Sequence, residues 1–274
     1  MSKVCQKKQF KIKLGSDLNS PKRLANFYDI FTQLTIKMKN EYLKNDPEFA
    51  EKLTQLLDSH NDASIQLAYQ LMQGGGIPQG LVKRVSDDIQ GKILCLQYHL
   101  TDILTHLQIL QIHDTILQKL PPSIGHLDRL MILELINNQL VQLPSEIGQL
   151  SQLSDLQIVA NNLTSLPEEM AQLQNLEKLN AYGNQLTEFP EALLELNNLE
   201  SLNLGGNQIS SLPQSLPKMQ NLKNLDIGTN PLHEVAQVLV QMPQLEMISL
   251  SGLKLSQQEW KMLKIKLPFT HIIR

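Results

Sequence analysis

A repeat of 23 residues runs from residue 107 to residue 255 and constrains the fold more than any other feature. In one copy, Leu130, Leu133, Leu135, Asn138 and Pro144 stand at positions 1, 4, 6, 9 and 15, and the same residue types return in register 23 residues later. Seven copies begin at Leu107, Leu130, Leu153, Leu176, Leu199, Leu222 and Leu245. A short unit repeated at a fixed interval predicts a stack of similar layers rather than a single compact core.

The alternating leucines at positions 4 and 6 predict a short strand whose leucines point inward and whose intervening residues point outward. One copy cannot bury its leucines alone, but stacked copies can, because each apolar layer covers its neighbour. We therefore expect parallel strands along an inner, concave side and the LPxxIGxL segments along the outer side. The Asn at position 9 is expected to turn inward and bind backbone groups freed where the strand ends.

The pattern LxxLxLxxNxLxxLPxxIGxL resembles the leucine-rich repeat. Its 23-residue LPxxIGxL form is similar to the intracellular Ras-suppressor and plant Ras-group class, which also occurs in bacterial proteins. The resemblance implies an α/β fold: a leucine-rich repeat solenoid, or parallel β arc, with an all-α N-terminal capping domain and a C-terminal helical cap. The predicted divisions are a basic tail (1–19), a helical domain (20–105), the repeats (106–255) and the cap (256–274).

Helical spacing precedes the repeats. Ser20-Pro21 and Asp46-Pro47 are typical helix starts, and a third helix is expected over 62–73, ended by three consecutive glycines. Ser86 is expected to cap a fourth helix whose apolar residues step by three and four from Ile89 to Leu107, with a strand over 93–96 as the alternative. Residues 1–23 carry seven basic residues and one acidic residue. That segment is either a flexible tail or an arm for an acidic partner or anionic surface.

The last two copies depart from the pattern. Val235-Ala236 replaces the Leu-Pro pair and Leu253 replaces the position-9 Asn, so the regular outer side is expected to end there. Ser256 and Glu259 have the spacing of a capping box. The residues that follow, including Trp260, predict an amphipathic closing helix that buries the last layer.

The outward positions 3, 5 and 7 vary between copies, and this variation points to a binding surface. The predicted partner-binding residues are Ile109, Gln111, His113, Ile132, Glu134, Ile136, Gln157, Val159, Asn180, Tyr182, Asn203 and Asp226. In the first four copies they include a cluster of apolar side chains rimmed by polar ones, which is typical of a protein-binding site. Two alternatives remain open: β-branched residues simply suit strands, or the N-terminal helices cover the cluster. Small residues in copies five and six, Gly205, Gly206, Gly228 and Thr229, predict a shallow floor that a protruding group could approach.

Motifs for chemistry are missing from the sequence. It has no GxxxxGK phosphate loop, no HExxH, and no histidines at metal-ligand spacing; His99, His106 and His113 step by seven, with the first two assigned to the fourth helix. We therefore expect no cofactor and no metal. Cys95 is expected to be an inert core thiol. A net charge of −3 gives no sign of nucleic-acid binding.

Composition also bears on the compartment. The two cysteines form no CxxC, no window is long enough for a membrane span, and the N-terminus lacks the apolar segment of a Sec signal peptide. We expect a monomer that is cytoplasmic or is delivered into a host cell.

The sequence thus predicts a protein–protein interaction module that binds a protein partner on the concave face. The layout resembles that of effectors injected by bacteria. The alternative is a ubiquitin-ligase-type effector or an enzyme adaptor with activity in the N-terminal helices. The catalytic Cys-x-Asp motif of such ligases has no match here, because Cys5 is followed by Gln6-Lys7 and Cys95 by Leu96-Gln97. An enzyme is therefore the less favoured hypothesis.

Overall fold

The computed structural model describes residues 43–59 and 62–274. The chain divides into two compact units, and the boundary along the sequence lies between Gln79 and Gly80. The α-helices of the described residues are α1 (Pro47–Leu57), α2 (Asp62–Gly75), α3 (Val82–Ser86), α4 (Ile89–Gln97), α5 (Ala236–Leu239) and α6 (Gln257–Lys266). The strands are β1 (Ile109–Gln111), β2 (Ile132–Glu134), β3 (Asp155–Gln157), β4 (Lys178–Asn180), β5 (Ser201–Asn203), β6 (Asn224–Asp226), β7 (Met247–Ser249) and β8 (His271–Ile273). The predicted basic tail and the helix predicted from Ser20 lie outside the described residues.

In the first unit, α1 and α2 pack against each other. The side chain of Asp46 caps α1, accepting a hydrogen bond of 2.9 Å from the backbone N–H of Glu48, and Pro47 occupies the first turn as predicted. Helix α2 runs two residues past the predicted end at 73. It stops where Gly76 takes a φ of +80°, a conformation that suits glycine.

The second unit begins with α3 and α4, and α4 differs from the prediction. Asp88, not Ser86, is its N-cap, accepting a 2.6 Å hydrogen bond from Gly91 N–H, while Ser86 is the last residue of α3. The segment 93–96 is helical, so the strand alternative is wrong. The helix ends at Gln97 instead of continuing to 107, because His99 adopts a φ of +55°. Consequently none of the three histidines spaced by seven lies in a helix.

Strands β1 to β8 form one parallel sheet in chain order. Neighbouring strands pair with a shift of one repeat, as in Leu133 with Leu156 and Leu156 with Leu179. The apolar residues at positions 4 and 6 are buried in every copy, and the residues on either side of position 4 are accessible in copies one to six. This confirms the predicted register.

The outer side is built mainly from short 3-10 helices. They span Pro122–His126, Ser145–Gln149, Glu168–Gln172, Glu191–Glu195 and Leu216–Lys218, and α5 takes the corresponding place in the sixth copy, where the Leu-Pro pair is missing. Glycine is required where two of these helices touch. A Cβ atom on Gly148 would lie 2.4 Å from the carbonyl oxygen of Glu169 in the next copy.

The position-9 asparagines are buried and bind backbone groups at the strand ends, as predicted, and they also join consecutive copies. Asn184 donates from Nδ2 to the carbonyl of Ile158 in the previous copy (2.8 Å) and to that of Ala181 in its own copy (3.0 Å). Its Oδ1 accepts from the N–H of Leu163 (3.1 Å). The same bridge recurs at Asn138, Asn161, Asn207 and Asn230.

Position 8 is left-handed in every copy, a feature that the sequence pattern did not reveal. Its φ lies between +53° and +77° although the residues differ: Asp114, Asn137, Ala160, Gly183, Gly206, Thr229 and Gly252. Glycine, Asn and Asp tolerate this conformation, whereas an alanine and above all a β-branched threonine are strained in it. The backbone turn at the strand end is therefore imposed by the stacking of the copies.

The C-terminal segment forms a helix and adds a strand. Ser256 and Glu259 form the predicted capping box, and Leu263 and Leu267 of the closing segment are buried. Trp260 is only half-buried and carries the guanidinium of Arg274 at 4.4 Å from its ring centroid, so its burial is less complete than expected. Strand β8, which has no counterpart in the repeat pattern, pairs with β7.

Candidate functional site

Most of the side chains at positions 3, 5 and 7 are accessible and together form one surface on the sheet, which we call the open face. All twelve predicted partner-binding residues lie on it, and each is exposed or half-buried. Tyr182 is 46% exposed and Ile109 is 51% exposed. The structure thus brings the predicted residues together, while their binding of a partner stays a prediction.

Two apolar rows run across the first four copies of the open face. Ile109 and Ile132 are paired neighbours at position 3. Ile136, Val159 and Tyr182 follow one another at position 7, where their carbonyls accept the position-8 N–H groups of the preceding copies. With strands about 4.8 Å apart, the cluster extends roughly 14 Å across the sheet.

A row of bonded polar side chains at position 5 separates the two apolar rows. Gln111 Nε2 donates to Glu134 Oε2 (2.9 Å). His113 Nε2 lies 2.9 Å from the same oxygen, and this contact is an ion pair only when the imidazole is protonated. Gln157 donates to the Asp155 carboxylate (2.5 Å). These contacts fix the polar side chains before any partner arrives.

Three other predicted site residues serve the backbone. The Oδ1 atoms of Asn180, Asn203 and Asp226 accept from the N–H groups two residues on, at 3.1, 2.9 and 2.9 Å. Short polar side chains favour this local hydrogen bond at the end of a strand. Their place on the open face agrees with the prediction, but one acceptor oxygen of each is already engaged.

The side chain of Tyr182 partly covers the shallow floor that was expected in copies five and six. A Cβ atom on Gly205 would lie 3.1 Å from Tyr182 Cδ2, and one on Gly206 would lie 3.2 Å from Cε2, so the tyrosine ring rests on these two glycines. Gly228 is also needed structurally, because a Cβ there would lie 2.8 Å from the carbonyl oxygen of Ser251. The glycines therefore support the tyrosine of the apolar cluster.

A second concavity lies between α4 and the first two copies, and sequence reasoning missed it. Its volume is about 370 Å³, and most of its lining is apolar. The lining residues are Ile93, Gln97, Leu117, Lys119, Leu120, Pro121, Pro122, Gln142 and Pro144. The signal in the sequence that could have indicated this concavity is Pro122. It follows the position-15 proline, Pro121, and a second proline occurs at this place in the first copy only.

The described residues offer little for chemistry. Burial, with a smaller contribution from Asp88, raises the pKa of the Cys95 thiol to about 12, and Cys95 Sγ donates to the Val85 carbonyl (3.4 Å). Such a thiol is a poor nucleophile, in agreement with the predicted inert core role. Over residues 43–59 and 62–274 there is no group of three or more His, Cys, Asp or Glu side chains arranged to hold a metal ion. None of the helices in these ranges has the length and apolar character needed to cross a bilayer.

Comparisons with known proteins agree with this architecture. A family model described as a leucine-rich repeat region matches residues 88–260. A search among curated protein sequences finds no match.

Similar solved structures include three bacterial proteins. An internalin (inlF) from Listeria monocytogenes is 23% identical, with a TM-score of 0.55 over 64% of this chain and 52% of its own. Internalin C2 (inlC2) from the same organism is 22% identical, with a TM-score of 0.54 over 71% of this chain and 81% of its own. A leucine-rich repeat protein from Leptospira interrogans is 26% identical, with a TM-score of 0.48 over 65% of this chain and 57% of its own. The chain thus spans only slightly more than half the length of the Leptospira protein and of inlF.

The two internalins show a common fold at this level of identity and nothing about shared partners. The family match extends over more than half of the chain and includes strands β1 to β7, the 3-10 helices of the outer side and the asparagine column. The chain belongs to the leucine-rich repeat proteins, whose fold is that of a protein–protein interaction module.

Proposed function

We propose that the protein binds a protein partner on the open face, mainly through the apolar cluster of copies one to four. The observation that carries this proposal is the accessible cluster itself, in which Ile109 and Tyr182 are exposed and Ile132, Ile136 and Val159 are half-buried. An apolar patch with an aromatic side chain and a polar border is the usual character of a protein-binding site.

The polar groups beside the cluster support the same proposal. Glu134 is held by Gln111 and lies against His113, so its carboxylate is oriented in the free protein. Tyr182 is supported from below by Gly205 and Gly206. A surface whose side chains are already positioned loses less conformational entropy when a partner binds.

The proposal is tested with the double substitution Ile136→Asp and Val159→Asp. Both side chains are half-buried and point away from the core, so the variant is expected to fold while placing two charges inside the contact. Its matched control is Ser201→Asp with Asn224→Asp, at position 3 of copies five and six. Replacing Gln157, which lies between the two apolar rows, by a photo-crosslinking amino acid would identify proteins captured from lysates.

The partner is expected to bind the control normally and the cluster variant roughly thirtyfold or more weakly, the loss typical of a hot spot. The proposal fails if a folded cluster variant retains every partner of the unaltered protein, or if the control loses them equally. Tyr182→Ala alone is a less direct test, because it also uncovers two glycines.

Delivery into a host cell as a bacterial effector, with a cytoplasmic site of action, belongs to the same proposal. It rests on the sequence layout, namely helices ahead of repeats of the intracellular class. A translocation reporter fused to the chain in a secreting bacterium tests it, and a signal that does not depend on the secretion system would reject it. The ubiquitin-ligase or adaptor alternative stays a hypothesis that no described residue favours, and a ubiquitination assay of the intact chain tests it.

A further inference from the structure

The C-terminal cap exposes apolar side chains on the outer face of its helix. In α6 the buried side carries Leu263, and Leu267 follows it into the core. Met262 and Ile265, three residues apart and therefore neighbours on the helix surface, are 36% and 62% exposed. Phe269, in the turn between α6 and β8, is 98% exposed.

This exposure is unusual for the end of a repeat stack. A capping element exists to cover the last apolar layer and needs a polar outer surface. Leu263 and Leu267 are the buried side chains of this segment, so the exposed side chains have no part in covering that layer. Exposed apolar groups that are close together generally mark a contact.

Basic residues surround these apolar groups. Lys261, Lys264 and Lys266 are all exposed on α6, and Arg274 lies over Trp260. Residues 256–274 contain four basic residues and one acidic residue, whereas residues 107–255 contain fifteen acidic and six basic residues. Positive charge is therefore concentrated at the cap, on a protein that is negative elsewhere in its repeats.

The charges decide between possible occupants. A symmetric dimer through this face would bring the lysines of two copies together, which is unfavourable. An anionic surface would be attracted by the same lysines. Exposed apolar side chains on a helix and its following turn, bordered by lysines, have the composition of segments that lie at the interface of a membrane.

We propose that the cap binds the surface of membranes that contain anionic lipids. The cap patch consists of Lys261, Met262, Lys264, Ile265, Lys266 and Phe269. Phe269 and Ile265 enter the boundary between headgroups and acyl chains, and the three lysines bind the anionic headgroups. This is peripheral binding and needs no helix that crosses the bilayer. It is independent of the proposed partner site on the open face.

The chain's single tryptophan provides a local probe for the test. Trp260 lies on α6, half-buried beneath Arg274, so its emission and its quenching by brominated lipids report contact between the cap and a bilayer. The full chain is mixed with phosphatidylcholine vesicles, with and without phosphatidylserine, and bound protein is also measured by co-sedimentation.

Two variants separate the contributions of the patch. Ile265→Ser with Phe269→Ser removes the apolar contact, and neutralising the three lysines to glutamine removes the charge. The matched controls are Ile116→Ser, which replaces an isoleucine that is 81% exposed in the first copy, and Lys218→Gln, which replaces an exposed lysine on the outer side. All of these side chains are accessible, so thermal unfolding is expected to be unchanged.

Binding to phosphatidylserine vesicles is expected to exceed binding to pure phosphatidylcholine and to weaken as salt is raised. Each lysine removed should lower the binding constant about fivefold, so the triple variant should lose about a hundredfold, and the controls should bind normally. The proposal is overturned if the unaltered chain does not prefer anionic vesicles or if the cap variants bind as well as the controls. It is also overturned if light scattering shows a dimer that Phe269→Ser dissociates while vesicles are ignored, since a second copy would then cover the patch.

Discussion

Replacing Asn184 by alanine should destabilise the repeats mainly through one of its three hydrogen bonds, the one that it accepts from the Leu163 N–H. The two carbonyl groups that it binds have other donors nearby. The Ile158 carbonyl also receives Asn161 Nδ2 at 3.3 Å, and the Ala181 carbonyl receives Asn207 Nδ2 at 3.0 Å. The N–H of Leu163, in contrast, has Asn184 as its hydrogen-bond acceptor and lies in the core.

The loss of stability can be estimated from this difference between the two carbonyl groups and the Leu163 N–H. An orphaned buried N–H costs about 1–3 kcal/mol, and losing one of two donors at each carbonyl adds about 1 kcal/mol in total. Asn184→Ala should therefore lower the free energy of unfolding by about 2–4 kcal/mol. For a chain of this size that corresponds to a fall in Tm of roughly 6–12 °C.

The assay is urea unfolding followed by circular dichroism, with hydrogen exchange at the Leu163 amide as a local measurement. Asn198→Ala is the matched control. Asn198 is exposed and donates one hydrogen bond, to the Gln174 carbonyl at 2.7 Å, so its loss should cost less than about 1 kcal/mol. If Asn184→Ala costs no more than the control, the position-9 column does not bind the copies together as described.

Three further substitutions have effects of known sign. Gly148→Ala would place a Cβ atom 2.4 Å from the Glu169 carbonyl oxygen and should lower the free energy of unfolding in urea by about 1–3 kcal/mol. Gly80→Ala is the control and should be neutral, because no atom lies within 4 Å of its Cβ position. Equal effects of the two substitutions would contradict the close approach at Gly148. Thr229→Gly should raise the free energy of unfolding by about 0.5–1 kcal/mol, because a threonine at a φ of +53° is strained, and a decrease would show that the strain is small. The pKa of Cys95 is raised from 9.0 to about 12, so the native state keeps a proton that the unfolded chain releases, and stability should fall as pH rises across that interval. Cys95→Ala should reduce this fall, and an unchanged pH profile would refute the assignment.

The regular part of the fold could be predicted because each of its determinants is local and recurs. Leucine alternation gives the strand and its buried face, and Asn161 or Asn184 can be assigned a role from its position alone. The capping box at Ser256 was likewise predictable, since two residues three apart contain the whole signal.

The irregular parts depend on contacts that no short pattern contains. Leu100 N–H donates to the Cys95 carbonyl beyond the end of α4, and the left-handed His99 makes this turn, so apolar spacing alone suggested too long a helix. Strand β8 exists because Met247 pairs with His271, across the closing helix. The open face could be listed by residue, but the ring of Tyr182 resting on Gly205 could not be deduced from either residue.

The asparagine column stops one copy before the cap, and this sets where the stack is weakest. Leu253 stands at position 9 of the seventh copy, so no amide there reaches back to the Leu232 N–H or the Ile227 carbonyl of the sixth. Strand pairing and leucine contacts join the last copy to the sixth, without the hydrogen bonds of a position-9 asparagine. In denaturant or under mechanical force, the solenoid should unfold first at the contact between copies six and seven. The basic cap and its single tryptophan would then separate, while the open face of the earlier copies stays folded.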